Sequence, residues 1–252
     1  MPTWKVMKGF LFGRSECQHC QHTLQRYDLF PIFSFVSTGG KCRYCKKKLS
    51  WRYPGLEIGT VLCFLGVYMM MGEISVMSCL ISILVWLIFL NMMRDFYRYE
   101  LHTTASIGAG ILVIILNVIG KTDFFYFWEN VGVVVGVFAL IYLMGRWIIW
   151  IKYRQRGEGF GFGDVIFSAI IGGIFPLMFH NLFLLDILQI LCVFVIVSCI
   201  SGIIMRFVMN LCQKEKKADF KLIPFVPAMS FGLLVVLLSK NFLLTFLHFG
   251  VY

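Results

Sequence analysis

The sequence predicts an all-α polytopic membrane protein. It has about seven transmembrane helices and a small N-terminal cytoplasmic four-cysteine zinc-binding loop. Three observations predict this. Of 252 residues, 59% are hydrophobic and only 14% are charged, which is not the balance of a soluble domain. Apolar runs of spanning length recur from residue 55 onward. Two CxxC pairs lie in a charged stretch ahead of those runs. The chain therefore divides into residues 1–54, the zinc-loop domain, and residues 55–252, the transmembrane domain.

Residues 1–54 come first. The stretch from Met1 to Gly13 has no apolar core long enough for a cleavable signal peptide. Ten of the 23 Lys and Arg residues fall in this domain. Cys17-Gln18-His19-Cys20 and Cys42-Arg43-Tyr44-Cys45 are separated by 21 residues. Two such turns bring four sulfurs together, and Cys17, Cys20, Cys42 and Cys45 suit a tetrahedral structural Zn²⁺ site. A metal replaces the core that so short a segment does not build. The competing reading is a redox or disulfide pair, which a cytoplasmic location disfavours. With four cysteines filling the shell, His19 and His22 read as surface residues. Cys63, Cys79, Cys192 and Cys199 lie inside apolar runs and Cys212 just past one, as small apolar residues do.

Seven apolar spans follow, at about 55–72, 74–93, 103–120, 129–151, 164–180, 182–206 and 224–246. The first two are joined tightly near Gly72-Glu73. With residues 1–54 inside, the inner segments and span ends carry every Lys and Arg except Lys121 and Lys240. The positive-inside rule thus puts the N-terminus in the cytoplasm and the C-terminus outside. The same distribution explains the net charge of +10 and excludes nucleic acid as the partner in favour of the lipid bilayer.

Two acids stand at span ends on the inner side. Asp95 closes the second span, and Asp164 opens the fifth behind Gly159, Gly161 and Gly163. An acid at a bilayer is costly and is read by default as functional. Taken alone, Asp164 is equally well a helix N-cap. A second acid at the same depth favours a shared-proton pair that activates water. Gly161 and Gly163 remove bulk, so that a substrate backbone can approach. Asp123 and Asp186 fall toward the outer side, and Asp219 lies in a solvated basic loop, Lys214 to Lys221. Asp28 is inside, and Glu57 opens the first span, where it favours the helix N-terminus. No Ser/His/Asp set, zinc-protease helix, phosphate loop, internal repeat or low-complexity tract is visible.

These residues carry a resemblance to the type IV prepilin peptidases, GxGD aspartyl membrane proteases that include the late-competence pseudopilin-processing peptidases. Gly161-Phe162-Gly163-Asp164-Val165 matches the GxGD motif, and Asp95 with Leu101 matches the first aspartate segment. The run from Arg14 through Cys45 matches the cytoplasmic zinc loop. Arg52-Tyr53-Pro54-Gly55-Leu56-Glu57 resembles the family's approach to the next span, and Ile223-Pro224-Phe225-Val226-Pro227 its late proline-containing segment. GxGD alone is shared with presenilin-like and preflagellin peptidases, and the four-cysteine loop narrows the match. The family usually has eight spans, with one before the zinc loop that is not seen here. Ile166 stands where the family has lysine, and His102 where it has proline.

The resemblance implies a multi-pass protein of the bacterial plasma (inner) membrane that cleaves leader peptides from prepilins or pseudopilins. Asp95 and Asp164 would be catalytic. It also implies amino-terminal methylation of the product with S-adenosylmethionine, for which Gly40 is the candidate residue. The alternatives are a non-catalytic zinc-binding assembly or docking protein, and a transporter using both acids. Transport acids more often lie near the midplane.

Overall fold

A computed structural model describes residues 15–17, 19–98, 100–153, 161–179, 184–212 and 225–239. The chain forms two compact units, Met1–Leu65 and Gly66–Tyr252. Each is described by itself. The readings placed on Glu158 to Phe160, on the Lys214 to Lys221 loop and on Pro224 lie outside the described residues.

The first unit is built from turns. Around Cys17, the Cys17 N–H donates to His22 O, Gln21 N–H to Cys17 O and Leu24 N–H to Ser15 O. Around Cys42 the same pattern recurs: Cys42 N–H to Lys47 O, Lys46 N–H to Cys42 O and Leu49 N–H to Gly40 O. Each turn is closed by an isolated antiparallel bridge, Glu16 with Thr23 and Lys41 with Lys48. Each also uses a left-handed residue four positions after its first cysteine, Gln21 (φ 55°) and Lys46 (φ 58°). The cysteine spacing shows the repeat in the sequence, but the matched left-handed positions, one Gln and one Lys, do not.

Between the turns lie a 3₁₀ turn, Arg26–Leu29, and a short helix α1, Phe33–Ser37. Asp28 joins these parts. It accepts from Gln25 N–H at 3.1 Å, Tyr44 Oη at 3.0 Å and Arg43 Nε at 2.9 Å. Helix α2, Arg52–Met71, begins the apolar part of the chain. Glu57 sits in its second turn and accepts the N–H of Ile32 at 2.7 Å. Ile32 has φ 58°, unusual for a β-branched residue. Glu57 therefore fastens α1 to α2, which goes beyond favouring a helix start.

The second unit is helical. After the rest of α2 come α3 (Val76–Arg98), α4 (Thr103–Ile119), α5 (Phe124–Tyr153), α6 (Phe162–Met178), α7 (Leu184–Cys212) and α8 (Phe225–Leu238). These helices fall on the seven apolar runs read from the sequence. Among the described residues, four stretches are long and apolar enough to cross a membrane: Arg52–Met71, Val76–Arg98, Phe124–Ile148 and Asp186–Val208. The remaining three, α4, α6 and α8, are shorter apolar helices.

Helix α6 is the core element. Twelve of its residues from Asp164 to Met178 are buried, and it packs on α4, α5 and α8. Small residues permit this. A Cβ on Gly172 would lie 2.9 Å from Val131 Cα, and one on Gly173 would meet Val113 and Phe127. Close approach of this kind is how apolar helices pack when lipid is as apolar as they are. Buried Asn117 adds a polar tie, donating through Nδ2 to Val113 O at 2.8 Å and to Gly173 O at 2.9 Å. Tyr126 Oη donates to Phe179 O just past the helix end.

Candidate active site and metal centre

The Gly161-Phe162-Gly163-Asp164 stretch folds as a helix start. Gly161 is the N-cap of α6, in an extended conformation, and Asp164 is the third helical residue. The Asp164 N–H donates to Gly161 O at 3.0 Å, and the Gly161 N–H donates back to Asp164 Oδ2 at 3.1 Å. The N-cap reading of Asp164 is thus corrected: glycine holds the cap, and the acid is its reciprocal partner. An acid here also meets the positive end of the helix. The close approach that Gly163 allows is to the chain's own Leu101, since a Cβ would lie 3.0 Å from Leu101 Cδ1.

Asp95 lies in the last turn of α3. Its Oδ2 accepts the N–H of Val226, at the start of α8, at 3.0 Å. Each acid is therefore held by a backbone N–H at the N-terminal end of a helix, the N-cap of its own helix for Asp164 and the first turn of α8 for Asp95, which satisfies a donor that the helix leaves unpaired. Each is 7% exposed, and Asp164 lies within electrostatic reach of Asp95. Two carboxylates that face each other can hold one proton between them and activate a water.

The connection from α3 to α4 is pinned by Asn91, which is fully buried. Its Oδ1 accepts from His102 N–H at 3.1 Å and from Ser106 Oγ at 2.9 Å. His102 is the N-cap of α4, its ring accepting from Ala105 N–H. His102, which stands where the resembled family has proline, thus caps a helix. Sequence reasoning did not single out Asn91 or the Val226 N–H. A buried asparagine four residues before an acid was the available signal for the first. A backbone donor 131 residues from its acceptor leaves none.

In the first unit, Cys17, Cys20, Cys42 and Cys45 come together with all four sulfurs within 4.8 Å of one another. Cys17 Sγ and Cys45 Sγ are 4.0 Å apart. A tetrahedron with Zn–S bonds of 2.3 Å has edges of about 3.8 Å, so the donor set fits the ion. The backbone N–H groups of Cys20 and His19 pull the Cys17 thiol down to about 6, against its burial. A hydrogen bond from His22 works the same way on Cys20, but burial and the neighbouring Cys17 and Cys45 sulfurs push it up to about 11. A dication would remove this conflict by binding all four as thiolates. His19 and His22 are exposed and outside the cluster, as expected. His22 stacks on Tyr44, with ring centroids 3.7 Å apart.

Gly40 has φ 68°, and a Cβ there would meet the Phe35 ring at 3.1 Å. Its place in the turn therefore requires glycine. A cavity of about 660 Å³ in this unit is lined by Glu16, Asp28, Tyr53 and Glu57, among others.

Comparison with known proteins found one family and several relatives. Residues 3–71 match the family described as Bacterial Peptidase A24 N-terminal domain. A type 4 prepilin-like proteins leader peptide-processing enzyme of Escherichia coli O78:H11 is 29% identical over 188 residues, covering 73% of this chain and 67% of the relative. A prepilin leader peptidase/N-methyltransferase of Burkholderia pseudomallei is 29% identical over 162 residues, covering 63% and 50%. One of Stutzerimonas stutzeri is 28% identical over 228 residues, covering 89% and 71%. The chain thus spans between half and about two thirds of the length of the first relatives. No solved structure matches it.

Proposed function

From the premise that this chain is of the type IV prepilin peptidase family, as its matched domain and its relatives support, we propose that it is an aspartic endopeptidase of the inner membrane that removes leader peptides from prepilins or pseudopilins. The observation that carries the reading is the pair Asp95 and Asp164, equally buried and each anchored through Oδ2 to a helix N-terminus. Residues 55–252 would form the peptidase domain and residues 1–54 the cytoplasmic zinc-loop domain. The N-terminus would be inside and the C-terminus outside, which puts both acids at the cytoplasmic interface. A leader that stays in the cytoplasm ahead of an apolar segment presents its scissile bond at that level.

One carboxylate acts as general base and takes a proton from water as the water attacks the scissile carbonyl carbon. The other, protonated, donates to the carbonyl oxygen; the first then passes the proton it took from water to the departing amine, while the second recovers a proton from the collapsing tetrahedral intermediate. The proton belongs to the pair. The Oδ2 bonds hold each acid in place, and the remaining oxygens serve water and substrate. Gly161 and Gly163 leave the start of α6 free of side-chain bulk.

The four cysteines would hold Zn²⁺, which supplies structure rather than chemistry. Amino-terminal methylation would follow cleavage. S-adenosylmethionine supplies a methyl group, and the 660 Å³ cavity of the first unit is of the size that takes a small cofactor. Gly40 is the candidate residue for this second activity.

The test is co-expression with a prepilin-like substrate, followed by mass spectrometry of the substrate's amino terminus. Wild type is expected to yield a cut and methylated terminus, whereas Asp95→Asn and Asp164→Asn leave the leader in place. Cleavage retained in either variant overturns the peptidase reading. Uncut substrate with wild type favours a non-catalytic docking protein, and an unmethylated product removes the second activity alone.

A further inference from the structure

The first unit carries large apolar side chains on its outside. Leu29 is 49% exposed, Phe30 65%, Phe33 70%, Val36 70% and Trp51 78%. Most of this set comes from eight residues around α1, and a soluble surface rarely concentrates so much. Two contacts fix where the segment lies along α2. The Ile32 N–H is bonded to Glu57, five residues into that helix. The Phe35 ring packs on Trp51, 4.9 Å between centroids, just before the helix begins.

Helix α2 has 20 residues. At 1.5 Å per residue it is about 30 Å long, the thickness of the hydrocarbon core. It therefore has no length to spare, and Arg52 must lie near the headgroups for the helix to cross. The α1 segment, fastened level with Glu57, is then brought to the bilayer boundary itself. Among the described residues ahead of α2 and in its first two turns, seven are basic, namely Arg26, Lys41, Arg43, Lys46, Lys47, Lys48 and Arg52, against Glu16, Asp28 and Glu57. Basic charge beside exposed aromatics is the composition of a surface that sits on anionic lipid.

We propose that residues 29–36, with Trp51, form an interfacial anchor that seats the cysteine unit on the anionic inner leaflet. Phe30, Phe33 and Val36 enter the boundary between headgroups and acyl chains. The partner is lipid, rather than a second copy or another protein. The inference depends on α2 crossing the bilayer and not on the peptidase reading.

The experiment places a photoactivatable phenylalanine analogue at Phe33 in the full chain. The protein is reconstituted in vesicles of phosphatidylglycerol and phosphatidylethanolamine, and the adducts are identified by mass spectrometry. Parallel proteins carry the probe at Leu62 in α2 and at Gln21 on the first cysteine turn. The expected result is lipid adducts at Phe33 and Leu62, roughly tenfold above those at Gln21, where water is the reaction partner. Adducts at Leu62 with none at Phe33 overturn the anchor while the span stands. Adducts from Phe33 to a second copy or to another protein also overturn it, as does equal lipid labelling at Gln21 and Phe33. Phe33 is exposed, so the probe replaces no core contact.

Discussion

The two units reach a defined structure by opposite means. The helical unit has a large core, with α6 buried along most of its length and its helices in contact through glycines. In the cysteine unit, the buried apolar side chains among the described residues ahead of α2 are Cys17, Phe35 and Cys42, two of which are candidate metal ligands. Packing positions the acids in one unit, whereas a metal and repeated backbone turns would hold the other. The lesson is that loss of the metal and loss of a core contact should damage different parts of the protein.

The largest effect expected is on the cysteine unit. Cys42→Ser or strong chelation should unfold residues 15–50, because a structural zinc site contributes about 10–16 kcal/mol to the folding of a small module. Hydrogen exchange would show protection lost there and retained in α4 and α6. Loss of protection in both units together would break the comparison.

Next comes Gly173→Ala. The added methyl would press on Val113 and Phe127 between packed helices, a cost of about 1–3 kcal/mol. Thermal unfolding in detergent should shift downward while metal content stays unchanged. Gly163→Ala is a finer probe. Its methyl would push on Leu101 and displace the start of α6, and should slow leader removal roughly tenfold, about 1.4 kcal/mol of barrier. Adding Leu101→Ala should restore part of the rate. A double variant no better than the single one would show that the pair does not set the position of Asp164.

The smallest effect concerns Asp28. Burial raises its pKa, but the Gln25 N–H, the Tyr44 hydroxyl and the Arg43 guanidinium together hold it below the ordinary carboxylate range. A depressed folded value means that the stabilisation is present above the unfolded value, about 3.9, and is lost as pH falls through the folded one. Wild type should therefore outlast Asp28→Asn under proteolysis at neutral pH. That advantage should shrink below about pH 4. A difference constant down to low pH would remove the carboxylate from the account.

Much of this was legible in the sequence, for physical reasons. Apolar runs report burial in lipid, so α2 to α8 fall on the seven runs. Cysteine spacing reports a turn, and all four sulfurs meet. Acids at run ends report cost, which drew attention to Asp95 and Asp164. What stayed hidden was made of backbone. The Val226 N–H, the matched turns with Gln21 and Lys46, and the hold of Glu57 on Ile32 involve groups that every residue carries or an unexpected φ. Gly163 was legible as a place of close approach, but its neighbour Leu101 was not, because spacing does not name the partner.

The bond between Asp95 and the Val226 N–H spans 131 residues, which sets an order of events during synthesis. A chain is made and inserted from its N-terminus, so Asp95 reaches the membrane well before α8 exists. Until α8 arrives, Asp95 lacks this tether. If the two acids are the catalytic pair, a nascent chain that has not yet reached α8 would be inert.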